Sequence, residues 1–318
     1  MDPLPFYGEE PCSSLKPSPS GCQNKAYYWV PDDQRLSCGV HARDPDTREE
    51  LPKRSLKSQR KLVEEKRQKE DEDIQQAAED NLEAGRMGHV IVTKLRMMKA
   101  PLDVKGYRKV FPNFKHGNRT DGLGMPELSP MSLGPVNHTQ PGLPAALNIE
   151  NLHQTQKVYP SYEKNGKPTK EWYKTRLEGY LDPVPHRHHP GAKSATGSKN
   201  IPLYSIWVLP DGTEQKLSYI ESRQIYCTYY ERLAKETKSF RKLKRLRKNG
   251  VNLQIVGYDG YDLELTPEMQ EDRKVIKKMF EKYYLDDSKP YGHESVLVSL
   301  LLLEEDDYPW RKHTTLDL

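Results

Sequence analysis

The chain has 318 residues, of which 35% are hydrophobic, 30% charged and 25 are proline. That length holds one large domain or two modest ones, and the low apolar share predicts tails or solvated helices around a core of roughly 180–200 residues. Fifty basic residues stand against 46 acidic ones, for a net charge of +4; this excludes a histone-like polycation and confines any nucleic-acid binding to local clusters.

The opening Met1-Asp2-Pro3 lacks an apolar stretch, so no secretory signal is expected. The longest apolar run, Val296 to Leu303, is too short to span a bilayer, and a cytoplasmic or nuclear location without membrane insertion follows as the expectation. Residues 1–53 are rich in Pro and Ser and hold Cys12, Cys22 and Cys38. Cys38-Gly-Val-His41 sets a thiolate and an imidazole close enough to chelate one ion from a single turn. With Cys12 and Cys22 it makes a Cys3His shell, which suits a structural zinc. A Pro/Gly/Ser segment cannot build a core, so a metal would supply its folding free energy. Buried thiols without metal, or a disulfide, are the alternatives.

Residues 54–85 read as a charged helical linker. Ser55 to Ala84 contains no Pro or Gly, has an apolar stripe only in its second half, and stops at Gly85. Residues 86–310 carry the periodicity of an α+β domain with a mixed sheet and surrounding helices, and 311–318 read as a tail. Within the domain, His89-Val-Ile-Val-Thr-Lys-Leu95 is a predicted strand. Leu203 to Leu209, the turn Pro210-Asp-Gly212 and Thr213 to Leu217 form a predicted hairpin. Apolar residues from Ile225 to Leu246 recur at helical spacing as far as Gly250, with Cys227 on the core face. Leu253 to Gly257 is a buried strand, Thr266-Pro267 starts a helix, and a last helix runs from about His293 to Leu303. The His186-Arg-His-His189 cluster lies between prolines without thiolate or carboxylate partners and reads as surface rather than as a metal site.

The stretch Leu128 to Lys157 is the candidate for chemistry. Glu150, Gln154 and Lys157 fall at i, i+4 and i+7, which puts them on one face of a helix. So aligned, Lys157 can neutralise a phosphate, Gln154 can read a base or ribose hydroxyl, and Glu150 can serve as acid, base or ion stabiliser. A solvated amphipathic helix has the same spacing.

This stretch resembles the NADAR family of N-glycosidases, whose pattern is Leu-Ser-Asn-Phe-Tyr, then Pro with an aliphatic residue, then a Glu-x3-Gln-x2-Lys helix. Leu128-Ser129, Pro135-Val136, Glu150, Gln154 and Lys157 take those places. The chain departs from the pattern at Pro130, Met131 and Asn151. The family's Asp-x-aromatic element is matched by Asp259 and Tyr261, without the Trp-Gly that follows, and its Gly-initiated helix by Gly292 to Leu301. The resemblance implies cleavage of an N-glycosidic bond in an ADP-ribose-like or ribosyl-phosphate small molecule. Glu150 would stabilise the oxocarbenium-like transition state and Asp259 would be a second carboxylate. Ser129, Gln154, Lys157 and Tyr261 would bind substrate, with Tyr261 stacking on the base. The alternative reading is a non-enzymatic nucleic-acid-associated or virion-type structural protein that keeps the fold. The basic run Arg241 to Lys248 favours it, although the same run also fits an ordinary solvent face.

Overall fold

A computed structural model describes residues 25–30, 35–38, 45–51, 56–95, 100–192, 200–258, 265–316 and 318. The chain divides into two compact units, Met1–Lys69 and Glu70–Leu318, so the division falls inside the long helix of the linker region. The first unit contains a small antiparallel sheet, β1 (Tyr28–Val30), β2 (Arg35–Ser37) and β3 (Glu49–Glu50), with β1 in the middle. Ala26, Val30, Cys38 and Leu51 are buried in it.

Helix α1 (Leu56–Glu83) reaches into the second unit, and its composition explains where it packs. Past Glu70 the stripe begins: Ile74 and Ala78 are buried, while Asp71 and Asp73 pair with Arg108 and Lys105 at 2.7 and 3.4 Å. The main sheet of this unit is β4 (Val90–Lys94), β5 (Tyr107–Phe111), β6 (Leu123–Gly124) and β12 (Asn252–Gly257), all parallel, in the order β4-β12-β5-β6. Every residue of β12 is buried, as expected of a parallel strand covered on both faces. Most polar atoms of its side chains are bonded, the buried Gln254 Oε1 being the exception. Asn252 Oδ1 accepts from His89 N at 2.7 Å and from Asn81 Nδ2 at 2.8 Å, tying β4 and α1 to the central strand. Gln254 Nε2 donates to Thr93 Oγ1 and to the Leu102 carbonyl.

Between β6 and β12 come α2 (Ile149–Thr155), β7 (Lys157–Val158), the hairpin β8 (Glu163–Lys164) and β9 (Lys167–Pro168), and α3 (Lys170–Leu181). They are followed by β10 (Tyr204–Val208), β11 (Glu214–Leu217), α4 (Tyr219–Glu236) and α5 (Lys238–Lys248). Strands β11, β10 and β7 make a separate antiparallel sheet. The strands of this unit are thus divided among a parallel sheet, this antiparallel sheet and the two-stranded β8–β9 hairpin, an α+β arrangement without the single mixed sheet expected. The turn Pro210-Asp-Gly212 closes the predicted hairpin, with Gly212 at φ +85° and Asp211 Oδ1 accepting from Thr213 N.

The helical run predicted from Ile225 to Leu246 is broken in two. Ser218 starts α4 with a capping box completed by Glu221, and Thr237 ends it and caps α5 by accepting from Phe240 N. After β12 come α6 (Pro267–Glu271), α7 (Arg273–Leu285), α8 (His293–Leu302) and α9 (Pro309–Lys312). Helix α8 is apolar around its circumference, and accordingly it is buried between β4 and α4.

The expectation of a tail over 311–318 is corrected. Trp310 is 1% exposed and Leu316 3%; Gln224 bonds to Thr315 and to the Leu316 carbonyl, and Arg232 to the Leu318 carbonyl. Trp310 Nε1 and Arg311 both bond to the buried Glu231 carboxylate, so the segment supplies core and counter-charge to α4. Among the described residues no helix is long and apolar enough to cross a membrane.

Candidate functional site

Two short segments build the site. Leu128 to Val136 folds as a turn in which Ser132 N and Leu133 N donate to the Ser129 carbonyl and Met131 N to Ser129 Oγ. The turn docks on the start of α2: Glu150 N donates to the Pro130 carbonyl at 3.0 Å, and Ile149 N to the Leu133 carbonyl at 2.9 Å. A Cβ on Gly134 would lie 2.1 Å from the Leu147 carbonyl oxygen, so only glycine permits this approach. Ser129 is buried and its hydroxyl shapes the turn. Asn148 caps α2, and Asn151 is fully buried, holding the carbonyls of Asp182 and Val184 and the N–H of His186.

Glu150, Gln154 and Lys157 converge, although not on one helix. Helix α2 stops at Thr155, and Lys157 opens β7, where it is registered opposite Ser205 and its carbonyl accepts from Trp172 Nε1 at 3.0 Å. From that strand its ammonium reaches back and donates to Gln154 Oε1 at 3.0 Å, and Gln154 Nε2 donates to Glu150 Oε1 at 2.9 Å. An amide has one acceptor end and one donor end, so a cation on one side and a carboxylate on the other fix its orientation. Gln154 is therefore engaged at both ends. Glu150 is 8% exposed, while Gln154 and Lys157 are half-buried.

Burial in this setting governs the charges. It pulls the Lys157 ammonium down to about 8, against the opposing pull of Glu150. It also holds His153 well below 6.5, helped by Lys157 and Arg223, and His189 at about 4, helped by Lys157. His189 is not at the surface as expected. It stacks on Tyr159 at 5.1 Å and meets the edge of Tyr162 at 5.0 Å, and its Nδ1 accepts from Gly191 N. Its partner in the cluster, His186, pairs with Asp182 at 2.6 Å.

Several residues that sequence reasoning missed complete the surroundings. His153 lies 5.0 Å from Tyr226, and Tyr226 stacks at 6.3 Å on Tyr230, which lies 6.2 Å from His293. Tyr230 Oη donates to the Leu128 carbonyl at 2.7 Å, joining this aromatic row to the Ser129 turn. At the far end, Glu294 is fully buried in the first turn of α8. Its Oε1 accepts from Tyr258 N at 3.1 Å, and its Oε2 lies 3.3 Å from His293 Nδ1. This carboxylate packs on the carboxyl end of β12 so closely that a Cβ on Gly257 would lie 1.9 Å from Glu294 Oε1. The edge beyond the carboxyl ends of parallel strands is where α/β sheets hold ligands. Burial raises the Tyr226 and Tyr230 phenols well above 10, reinforced at Tyr226 by Glu150 and Glu294 and at Tyr230 by Glu294. The two phenols are therefore neutral, with Glu150 toward one end of the row and Glu294 toward the other. Two signals in the sequence could have revealed it: tyrosines at i and i+4, and a lone acid leading a mostly apolar helix.

Asp259 and Tyr261 lie outside the described residues, immediately beyond Tyr258, as do Cys12, Cys22 and His41. Cys38 is described and buried, and among the described residues no three His, Cys, Asp or Glu side chains gather in a metal-binding group. Cys227 is buried in the core as expected, and burial raises its thiol pKa. Comparison of the chain with family models, curated proteins and solved structures found no match.

Proposed function

We propose that the second unit is a NADAR-like N-glycosidase that releases a base or amine from a ribosyl phosphate or an ADP-ribose-like small molecule. The observation that carries this reading is the chain Lys157–Gln154–Glu150, in which a half-buried ammonium and a buried carboxylate face one another across an oriented amide. An oxocarbenium-like transition state gains from a carboxylate beside C1, and a phosphate from an ammonium removed from bulk water. Glu150 takes the first role. Lys157 takes the second, because Gln154 is its one hydrogen-bond acceptor among the described residues and the remaining ammonium protons are left to a ligand. With its amide occupied at both ends, Gln154 positions Glu150 instead of reading the base. Asp259 and Tyr261 keep their places in the proposal on the resemblance alone, as water-orienting carboxylate and stacking ring.

The proposal carries a pH signature. Lys157 in the free protein loses its proton near 8, and a bound phosphate favours the protonated form. Affinity for ADP-ribose should therefore fall as pH rises above about 8, by up to tenfold per unit, which is the limit for linkage to one proton. Calorimetric titration between about pH 7 and 10 measures this, and Lys157→Met should bind weakly with no such slope. Wild-type affinity that is flat with pH would remove Lys157 from phosphate binding.

A structural zinc held by Cys12, Cys22, Cys38 and His41 belongs to the same reading. It is supported by the ligand spacing and the burial of Cys38. Elemental analysis of purified protein should give about one equivalent, lost on Cys38→Ser; a folded, metal-free wild type would contradict the site.

A further inference from the structure

Helix α5 carries seven cations and no acid, in a chain whose net charge is only +4. Its apolar residues are already used: Phe240 and Leu243 are buried in the core and Leu246 packs against it. Arg247 turns inward and donates to the carbonyls of Leu301 and Gly88. The other six, Lys238, Arg241, Lys242, Lys244, Arg245 and Lys248, are exposed, and at 3.6 residues per turn they share an arc of about 160°. Among the described residues no carboxylate lies within 4 Å of the charged nitrogens of any of the six; Glu127 accepts from Lys238 N, Ser239 N and Ser239 Oγ and attracts only the Lys238 ammonium, at the helix start.

Helix stability does not account for this face. Cations in the last turn complement the helix dipole, but Lys238, Arg241 and Lys242 stand toward its positive end, and like charges at i, i+3 and i+4 repel. From the unpaired, one-sign face we infer that α5 docks the sugar–phosphate backbone of a nucleic acid. At 1.5 Å per residue the helix is about 16 Å long, enough for several phosphates of one strand. A membrane fits less well, because interfacial helices insert an apolar face that α5 has already buried in its own core. An acidic protein also fits less well, because protein interfaces centre on aromatic or apolar anchors and this face is all charge. Glu127 ties the start of α5 to the residue just before Leu128 and the Ser129 turn. The inference stands independently of the glycosidase reading.

Fluorescence anisotropy of the full chain with labelled single- and double-stranded oligonucleotides tests it. Wild type should bind at about 50 mM salt, with log affinity falling against log salt with a slope of about −3 on single strands if some four phosphates are engaged. Arg241→Gln/Lys242→Gln/Lys244→Gln/Arg245→Gln should bind at least about tenfold more weakly with a shallower slope. A control altered at exposed lysines elsewhere, Lys164→Gln/Lys170→Gln/Lys274→Gln/Lys278→Gln, should bind like wild type. The inference is overturned if wild type binds no oligonucleotide at low salt, or if the α5 variant binds like wild type. It is equally overturned if the control loses as much, if polyglutamate displaces the oligonucleotide as well as unlabelled nucleic acid does, or if anionic vesicles bind through α5 in its place.

Discussion

Turnover of an ADP-ribosyl or ribosyl-phosphate N-glycoside will fall about a thousandfold in Glu150→Gln, equivalent to about 4 kcal/mol of transition-state stabilisation. The substitution keeps size and leaves an oxygen to accept from Gln154 Nε2, so the Lys157–Gln154–Glu150 chain and the docking of α2 on the Ser129 turn should persist. What is lost is the negative charge beside the developing cation, so ADP-ribose affinity should change little while released base, followed chromatographically, nearly disappears. A variant within about tenfold of wild type would remove Glu150 from the chemistry. Wild type inert on a panel of such substrates would favour the non-enzymatic reading.

Trp310→Ala will destabilise the second unit by about 3–5 kcal/mol, the usual range for emptying a buried tryptophan site. The indole is 1% exposed, stacks on Tyr308 at 4.9 Å and donates to Glu231 Oε2 at 2.7 Å. Its removal leaves a cavity and takes one donor from a buried carboxylate, whose remaining partners are Arg311 and Lys235. Denaturant unfolding measures the change. A loss below about 1 kcal/mol would mean that the C-terminal segment does not hold α4.

Local signals were legible, long-range ones less so. The strands at Val90–Lys94 and Asn252–Gly257, the hairpin at Tyr204–Leu217 and the capped start at Thr266 follow from β-branched runs, turn residues and a cap within a few positions. The order β4-β12-β5-β6 was not legible, because β4 and β12 pair across more than 150 residues and no local pattern records that choice. Thr237 reads as one polar position in a helical run, and only its capping of Phe240 N reveals the break. Lys157 met its partners for a reason other than the one inferred. The spacing i+7 suggested a helix, whereas a strand anchored by Trp172 returns the ammonium to Gln154. Tyr226, Tyr230 and Glu294 were passed over because each has an ordinary place on a buried helix face, and their meeting depends on α4 packing against both α2 and α8.

The most direct test is a crystal structure with ADP-ribose. The account predicts phosphate oxygens at hydrogen-bond distance from Lys157 Nζ and the reacting ribose carbon against the Glu150 carboxylate. A ligand bound elsewhere, or no ligand at saturating concentration with Lys157, Gln154 and Glu150 bonded only to one another, would contradict it.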